Sequence, residues 1–198
     1  MAYHFIDKNY DLSRDVLKIN KDIEFTLERT HEICGNSRRN FALWLATKIL
    51  GTIIWIRPSW ISDQLLPGGV INWVNPGRVV TISVRRTDEM LWVAEETLRF
   101  GSVSLIVIES TIYLELKSIR RLNLSAEIGR KEKNNQALCL LLTQGKGGTP
   151  GVESRWSMSA KHNFNETKWE LECLKSRHQP LSLWELKNTN NKFTLDKK

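Results

Sequence analysis

The chain has 198 residues, of which 41% are hydrophobic and 26% are charged. That length and balance are typical of one folded domain and exclude an intrinsically disordered chain. The formal net charge of +7 favours contact with nucleic acid, acidic protein surfaces or anionic lipid. The positive side chains occur in short dispersed pairs rather than in one basic arm, so charge alone does not select among these partners.

Cysteine usage and the terminal sequences bear on the compartment. Cys34, Cys139 and Cys173 form no CxxC pair and are odd in number, which predicts buried, reduced thiols. The first residues lack the apolar segment of a secretory signal, and no run approaches the roughly 20 apolar residues of a membrane span. We therefore expect a cytoplasmic protein that makes no membrane contact.

Strands and helices are predicted to alternate along most of the chain, after a polar N-terminal extension at residues 1–26. Buried strands are indicated by β-branched and apolar runs at residues 29–33, 52–56, 79–84, 103–108 and 137–143. Helices are indicated by apolar periodicity and following glycines at residues 37–50, 87–100 and 115–128. A further short helix is expected near residues 61–66.

A glycine-rich loop at residues 144–151 changes this pattern. Three strands without intervening helices are predicted after it, at residues 152–158, 168–175 and 181–187. Residues 188–198 are predicted to be a polar, frayed tail. The order indicates an α/β domain at residues 27–187, with a mostly parallel sheet, helices on both faces and antiparallel C-terminal strands. Ligands of such sheets bind at the carboxyl ends of the strands.

The segment after the first strand has the layout of a strand, a glycine turn and a helix. A nucleotide-binding P-loop reads G-x-x-x-x-G-K-[ST], because its amides and lysine hold phosphates and its hydroxyl holds Mg²⁺. Aligned from Gly35, the second glycine falls on Asn40, the lysine on Phe41 and the hydroxyl on Ala42. By itself this segment favours an ordinary strand-to-helix turn over a P-loop, because every group that a P-loop requires is missing. The candidate degenerate loop comprises Gly35, Asn36, Ser37, Arg38, Arg39, Asn40, Phe41 and Ala42.

Two more segments resemble the bacterial recombinase RecA. Residues 96–110 resemble the helix, glycine and apolar strand that end in the Walker B acid, which falls on Glu109. Residues 169–186 resemble the closing strands, so the likeness covers residues 28–187 and implies a RecA-like fold. Ser59 stands at the position of the catalytic glutamate, and the loop at 144–151 is short for a DNA-binding loop. The resemblance therefore implies a RecA-like frame without ATP hydrolysis or recombinase activity.

Within that superfamily the chain is similar to the ImuA family, RecA-like accessory proteins of bacterial SOS mutagenesis. The residues that carry the likeness are His31-Glu32-Ile33, residues 91–96, Arg120-Arg121-Leu122, Ala126-Glu127, residues 138–142, Ser154-Arg155-Trp156, Trp169 and Leu171-Glu172. The resemblance implies a role in DNA repair by translesion synthesis, beside a polymerase-like subunit and an error-prone DNA polymerase.

We expect a non-enzymatic adaptor of the SOS response that docks polymerase components or RecA and needs no cofactor. The candidate partner or DNA surface comprises Arg85, Arg86, Arg120, Arg121, Trp60 and Trp73. Any DNA binding should be weak, sequence-independent and salt-sensitive. Two alternatives stay open: an SOS cell-division inhibitor, since these resemble a shortened RecA-like fold, and an ATPase with residual nucleotide binding.

Several side chains carry expectations of their own. Trp44 and Trp92 match the apolar faces of their helices and are predicted to be core residues. Glu109 is expected to be a solvated or capping carboxylate, and residues 144–149 a flexible turn. No metal site is expected, because metal-ligand spacing is absent from His4, His31, His162 and His178.

Overall fold

The computed structural model describes residues 15–133, 136–164, 166–189 and 192–198. The strands are β1 Val16–Lys18, β2 Glu24–Thr26, β3 Thr30–Cys34, β4 Ile53–Pro58, β5 Val79–Val84, β6 Leu105–Glu109, β7 Leu138–Leu142, β8 Ser154–Ala160, β9 Thr167–Ser176, β10 Leu183–Thr189 and β11 Lys192–Lys197. The helices are α1 Arg38–Ala46, α2 Pro67–Val70, α3 Thr87–Phe100 and α4 Leu116–Lys133.

Nine of these strands form one sheet in the order β11-β10-β9-β8-β3-β7-β6-β4-β5. Six neighbouring strands pair in parallel, namely β8, β3, β7, β6, β4 and β5. Strands β9, β10 and β11 extend the sheet beyond β8 by antiparallel pairing. This confirms the predicted α/β class and the antiparallel finish. The two remaining strands, β1 and β2, pair with each other.

Apolar side chains cover both faces of the sheet, as expected for parallel strands. On β4, Ile53 and Trp55 face the cluster that contains α1, whereas Ile54 and Ile56 face the cluster that contains α3 and α4. The carboxyl ends of the parallel strands therefore meet at one edge, and the segments predicted to carry a site follow those ends.

The predicted N-terminal extension is wrong for its second half. Residues 1–14 lie outside the described residues, but Ile23 and Phe25 in the β1–β2 hairpin are fully buried. Phe25 packs edge-on against Phe41, with ring centroids 6.0 Å apart, and tilts against Trp156 at 5.6 Å. The hairpin completes the core on the α1 side, which its short, irregular apolar pattern did not reveal.

The predicted frayed tail is also wrong for residues 192–197. These residues form β11, which pairs with β10 from Lys192 to Lys197. Phe193 stacks on Trp73, with centroids 4.9 Å apart, and Trp73 also contacts Trp169. Alternating polar residues masked this edge strand, since only one of its faces meets the core.

Two helix predictions need correction. α2 begins at Pro67, where proline suits the first helical position, rather than near residue 61. α4 continues through Gly129 instead of ending there. A Cβ atom at Gly129 would lie 2.1 Å from the Leu98 carbonyl oxygen and 3.0 Å from Gly101 Cα. Gly129 is therefore a close contact between α3 and α4 rather than a helix terminus.

His31 is buried in the core, and both of its ring nitrogens have hydrogen-bond partners. Its Nε2 lies 2.9 Å from the Thr26 carbonyl oxygen, which only accepts, so Nε2 carries the proton. Nδ1 therefore accepts from the Ser154 hydroxyl at 2.7 Å, while Trp156 Nε1 donates to the same hydroxyl at 3.0 Å. Burial is the main cause that lowers the pKa of His31 to about 4. The neutral ring joins β3 to β8 and to β2.

The three cysteines are free and buried, as predicted. Burial raises the pKa of the Cys34 and Cys173 thiols to about 11 and that of Cys139 to about 12. These thiols are poor nucleophiles at neutral pH, because the thiolate is the reactive form.

Candidate functional site

The degenerate loop joins β3 to α1 at the carboxyl edge of the sheet. Gly35 has φ +89°, and a Cβ atom there would lie 2.4 Å from the Met158 carbonyl oxygen. The Gly35 amide donates to the Gly145 carbonyl at 3.2 Å, and the Ser37 amide donates to the Met158 carbonyl at 3.0 Å. Glycine is needed here for its conformation and for the close approach of β8. Two loop amides are thus bonded to protein carbonyls.

The positions aligned with the P-loop lysine and hydroxyl lie in the core. Phe41 and Ala42 are fully buried. The centroid of the Phe41 ring lies 5.6 Å from that of Trp44 and 6.4 Å from that of Trp156. These side chains fill the space beneath α1. The loop thus places an aromatic ring and a methyl group where a P-loop has its phosphate and Mg²⁺ ligands.

Glu109 is buried and ion-paired, so its expected role as a solvated or capping carboxylate is wrong. Arg39 Nε lies 2.8 Å from Glu109 Oε1, and Arg39 Nη2 lies 2.7 Å from Oε2. Trp55 Nε1 donates to Oε1 at 2.7 Å. The hydrogen bonds to Glu109 raise the pKa of the Arg39 guanidinium. An arginine from the degenerate loop thus binds the Walker-B-like acid directly, in the bidentate geometry that guanidinium favours.

Glu32, on β3, is a second buried carboxylate, and its role was not evident from the sequence. It accepts hydrogen bonds from the Thr143 and Thr149 hydroxyls at 2.8 and 2.9 Å. The Gly148 and Thr149 amides also donate to it, and Arg155 forms an ion pair with it. Burial opposes ionisation, but these donors together lower the pKa of Glu32 below its ordinary value.

The contacts of Glu32 change the interpretation of the glycine-rich loop. A flexible turn was predicted at residues 144–149, and the structure has a turn at residues 145–146. The following amides of Gly148 and Thr149, which would suit an anion, donate to the Glu32 carboxylate. Arg155 Nη2 also donates to the Thr149 carbonyl at 2.9 Å. The loop is therefore anchored to β3 and β8. The sequence did contain one sign of this role: Glu32 is the only acid in the buried strand Thr30–Cys34, and a buried charge needs partners.

Ser59 lies just beyond β4 and is exposed, and its amide donates to the Val84 carbonyl at 2.8 Å. Arg57, whose role was likewise not evident from the sequence, is buried at the end of β4. Its Nη2 donates to the Asp63 carbonyl at 2.9 Å, and its Nε has no hydrogen-bond partner among the described residues. Arg57 thus binds the loop after β4 through the carbonyls of Ile61 and Asp63.

The candidate partner surface divides into separate parts. Trp60 is 54% exposed and follows β4, while Arg85 and Arg86 follow the neighbouring β5, so these three lie at one edge. Arg86 is engaged by Asp88, with 2.7 Å between Nη2 and Oδ2. Trp73 was predicted to be an exposed aromatic residue, but it is only partly exposed because its ring packs on Phe193.

Arg120 and Arg121 lie on α4 and are exposed. Arg121 forms an ion pair with Glu95 of α3 at 2.6 Å. Trp92, predicted to be in the core, is 64% exposed on α3. The helix buries Met90, Ala94 and Leu98 instead, and Trp92 falls outside that stripe.

The chain matches no protein-family model, and a search of curated proteins gives no match. Within the described residues, His, Cys, Asp and Glu form no cluster of three or more that could hold a metal ion. None of the helices in the described part of the chain combines the length and the apolar character needed to span a membrane.

Proposed function

We propose that this protein is a non-catalytic, RecA-like adaptor of DNA-damage-induced mutagenesis. It would act in the cytoplasm and bring together a polymerase-like subunit, an error-prone DNA polymerase or RecA during translesion synthesis. The observation that carries the non-catalytic part is the bidentate Arg39–Glu109 pair. The acid that would serve Mg²⁺ in an ATPase is here neutralised by the chain itself.

The backbone around the degenerate loop supports the same proposal. The Gly35 amide donates to a carbonyl of the loop after β7, and the Ser37 amide donates to a carbonyl of β8. In the glycine-rich loop at residues 144–151, the Gly148 and Thr149 amides donate to the Glu32 carboxylate. Phosphate binding at a strand-to-helix turn depends on free amides and a positive side chain. The turn has the expected layout, but the amides of Gly35 and Ser37 are committed to internal contacts.

The order of elements supports the RecA-like part of the proposal. The glycine turn follows β3 near the centre of the sheet, the acid Glu109 ends β6 two strands away, and antiparallel strands extend the β8 side. These features occur in the order in which the sequence resembles RecA. A retained frame without the catalytic groups is what an adaptor derived from an ATPase would keep.

An affinity purification tests the proposal. The tagged full chain is expressed in cells with and without DNA damage, and bound proteins are identified by mass spectrometry. We expect polymerase components or RecA to be enriched after damage, relative to a tagged basic protein of similar size. Absence of all replication and repair proteins would contradict the adaptor function.

Two companion measurements separate the alternatives. Overproduction without DNA damage should leave cell division normal, whereas filamentation would favour a division inhibitor. The purified protein should show no ATP turnover. Turnover that disappears in Glu109→Ala would identify an ATPase and overturn the non-catalytic assignment.

A further inference from the structure

A groove of about 420 Å³ lies on the outer face of α4. Its lining residues define what we call the α4 groove, and they are Leu116, Lys117, Arg120, Arg121 and Leu124. The opposite face of the same helix is already packed, because Ile119, Leu122 and Ala126 are buried against the sheet. The groove is therefore a second, outward-facing surface of α4.

The groove residues follow helical spacing. Leu116, Arg120 and Leu124 recur every four residues and form one ridge, and Lys117 and Arg121 form the next. Leu116 is 40% exposed and Leu124 is 57% exposed. The distance from Leu116 to Leu124 along the axis is about 12 Å, because the helix rises about 1.5 Å per residue. This length equals about two turns of a helix laid alongside.

The charges around the groove are unbalanced. Glu95 neutralises Arg121 through contact at 2.6 Å between Oε2 and Nη2. Lys117 and Arg120 are exposed and have no ion pair within the described part of the chain. Two free cations thus flank two exposed leucines, which is the pattern that complements an acidic amphipathic segment.

We propose that the α4 groove docks an acidic amphipathic helix of a partner protein. The apolar stripe of that helix would cover Leu116 and Leu124, and its carboxylates would lie beside Lys117 and Arg120. A nucleic acid fits less well, because the apolar groove residues are aliphatic and offer no aromatic ring for base stacking. The inference rests on the proposed adaptor function and assigns it a surface and a partner chemistry.

A selection of random peptides tests which partner chemistry the groove prefers. The immobilised full chain is panned with a phage-displayed library of random peptides of about 16 residues, a length of about four helical turns. We expect enrichment of sequences with apolar residues three and four positions apart and with Asp or Glu beside them. No enrichment, or enrichment of basic or non-periodic peptides, would overturn the proposal.

Variants then locate the binding of the enriched peptide. In fluorescence anisotropy titrations, Leu124→Glu and Arg120→Glu should each weaken binding at least about tenfold, since one removes an apolar contact and both add repulsion. Leu50→Glu and Lys48→Glu are matched controls, because both residues are exposed and lie after α1, outside the groove. Equal losses in groove and control variants would contradict docking at α4. Circular dichroism confirms that all four variants fold.

Two competitors test the chemistry of the site. Single-stranded DNA and a charge-reversed peptide, with Lys in place of Asp and Glu, should fail to displace the acidic peptide. Displacement by DNA at comparable concentration would overturn the assignment to a protein partner.

These experiments distinguish a failure of the groove proposal from a failure of the proposed adaptor function. If Leu124→Glu abolishes peptide binding but repair proteins are still captured from damaged cells, the adaptor function stands and uses another surface. If the peptide binds as expected but no repair proteins are captured, the groove stands and the SOS role falls.

Discussion

Arg39 and Glu109, which are 70 positions apart in the chain, form a bidentate ion pair at the carboxyl edge of the sheet. Arg39 comes from the degenerate loop and Glu109 ends β6, so the pair ties α1 across the top of β7 to the next strand. Glu109 is 6% exposed in its side chain, whereas Arg39 retains 24%. The pair is thus anchored on the carboxylate side and open to water on the arginine side.

Removal of Arg39 should destabilise the fold. Arg39→Ala leaves the Glu109 carboxylate buried with only the Trp55 hydrogen bond, and we expect a loss of about 2–4 kcal/mol, lower than for a fully buried pair because Arg39 meets water. Urea denaturation at neutral pH measures the loss. In the Arg39→Ala/Glu109→Gln double variant, stability should partly return, because no uncompensated charge remains.

The exposed ion pair of Arg86 with Asp88 is the matched control for Arg39. Arg86→Ala should leave the urea midpoint unchanged within error, because water solvates both partners. Equal midpoints for wild type and Arg39→Ala would show that the Arg39–Glu109 pair has no structural role.

ATP should not stabilise this protein. A ligand that binds only the folded state must raise the melting temperature. With Phe41 and Ala42 in the core and Glu109 bound by Arg39, we expect the same melting temperature with and without millimolar Mg·ATP in differential scanning fluorimetry. A reproducible rise would mean that nucleotide binds in spite of these contacts.

Restoring the P-loop residues should not restore an ATPase. In Asn40→Gly/Phe41→Lys/Ala42→Thr, loss of the buried Phe41 ring costs about 3 kcal/mol or more. The new ammonium must also leave water, which costs several kcal/mol more. We expect a destabilised protein with no phosphate release above background, and Ser59 supplies no carboxylate to activate water.

The single variant Asn40→Gly is the control for that experiment. Asn40 is only half-buried, so this change should cost much less than the triple variant. A triple variant that folds normally and hydrolyses ATP would contradict both the packing argument and the non-catalytic proposal.

The contact between α3 and α4 depends on Gly129. Alanine is the better helix former by up to about 1 kcal/mol. Even so, Gly129→Ala should destabilise the protein by about 1–3 kcal/mol, because its methyl group would meet the Leu98 carbonyl and force the helices apart. Gly68→Ala is the control, since no atom lies within 4 Å of its added Cβ. Thermal denaturation of the two variants should show a loss only for Gly129→Ala.

His31 should make stability depend on pH. Its pKa is about 4 in the folded state against an ordinary 6.5, so the unfolded chain binds more protons between these values. This contribution is complete above pH 6.5 and is lost as the pH falls toward 4, by about 3 kcal/mol at most. The lowered pKa of Glu32 adds a separate loss at more acidic pH, below the ordinary pKa of a carboxylate.

Urea titrations across this range test the assignment to His31. His31→Gln should flatten the dependence between pH 6.5 and 4, whereas His162→Gln, at an exposed position, should retain it. An unchanged pH dependence in His31→Gln would assign the effect to other groups.

Local patterns were sufficient for most of the framework. The apolar runs that became β4, β6 and β7 were recognisable, because strands buried on both faces are continuously hydrophobic. The edge strand β11 and the β1–β2 hairpin were missed, because short or half-exposed strands carry a weak periodic signal. Trp92 was misplaced for a related reason: one aromatic residue does not define which stripe of a helix is buried.

The sequence by itself determined the order of elements, the glycine turn after β3 and the absence of a lysine and a hydroxyl at Phe41 and Ala42. Only the tertiary structure decided what occupies that edge of the sheet. Arg39 meets Glu109 over 70 positions, and Glu32 meets Thr149 over 117. Such pairs depend on which strands are neighbours and on which face each side chain leaves the sheet. The periodicity of apolar residues predicts which side chains are buried, but it does not predict which residue pairs with a buried charge.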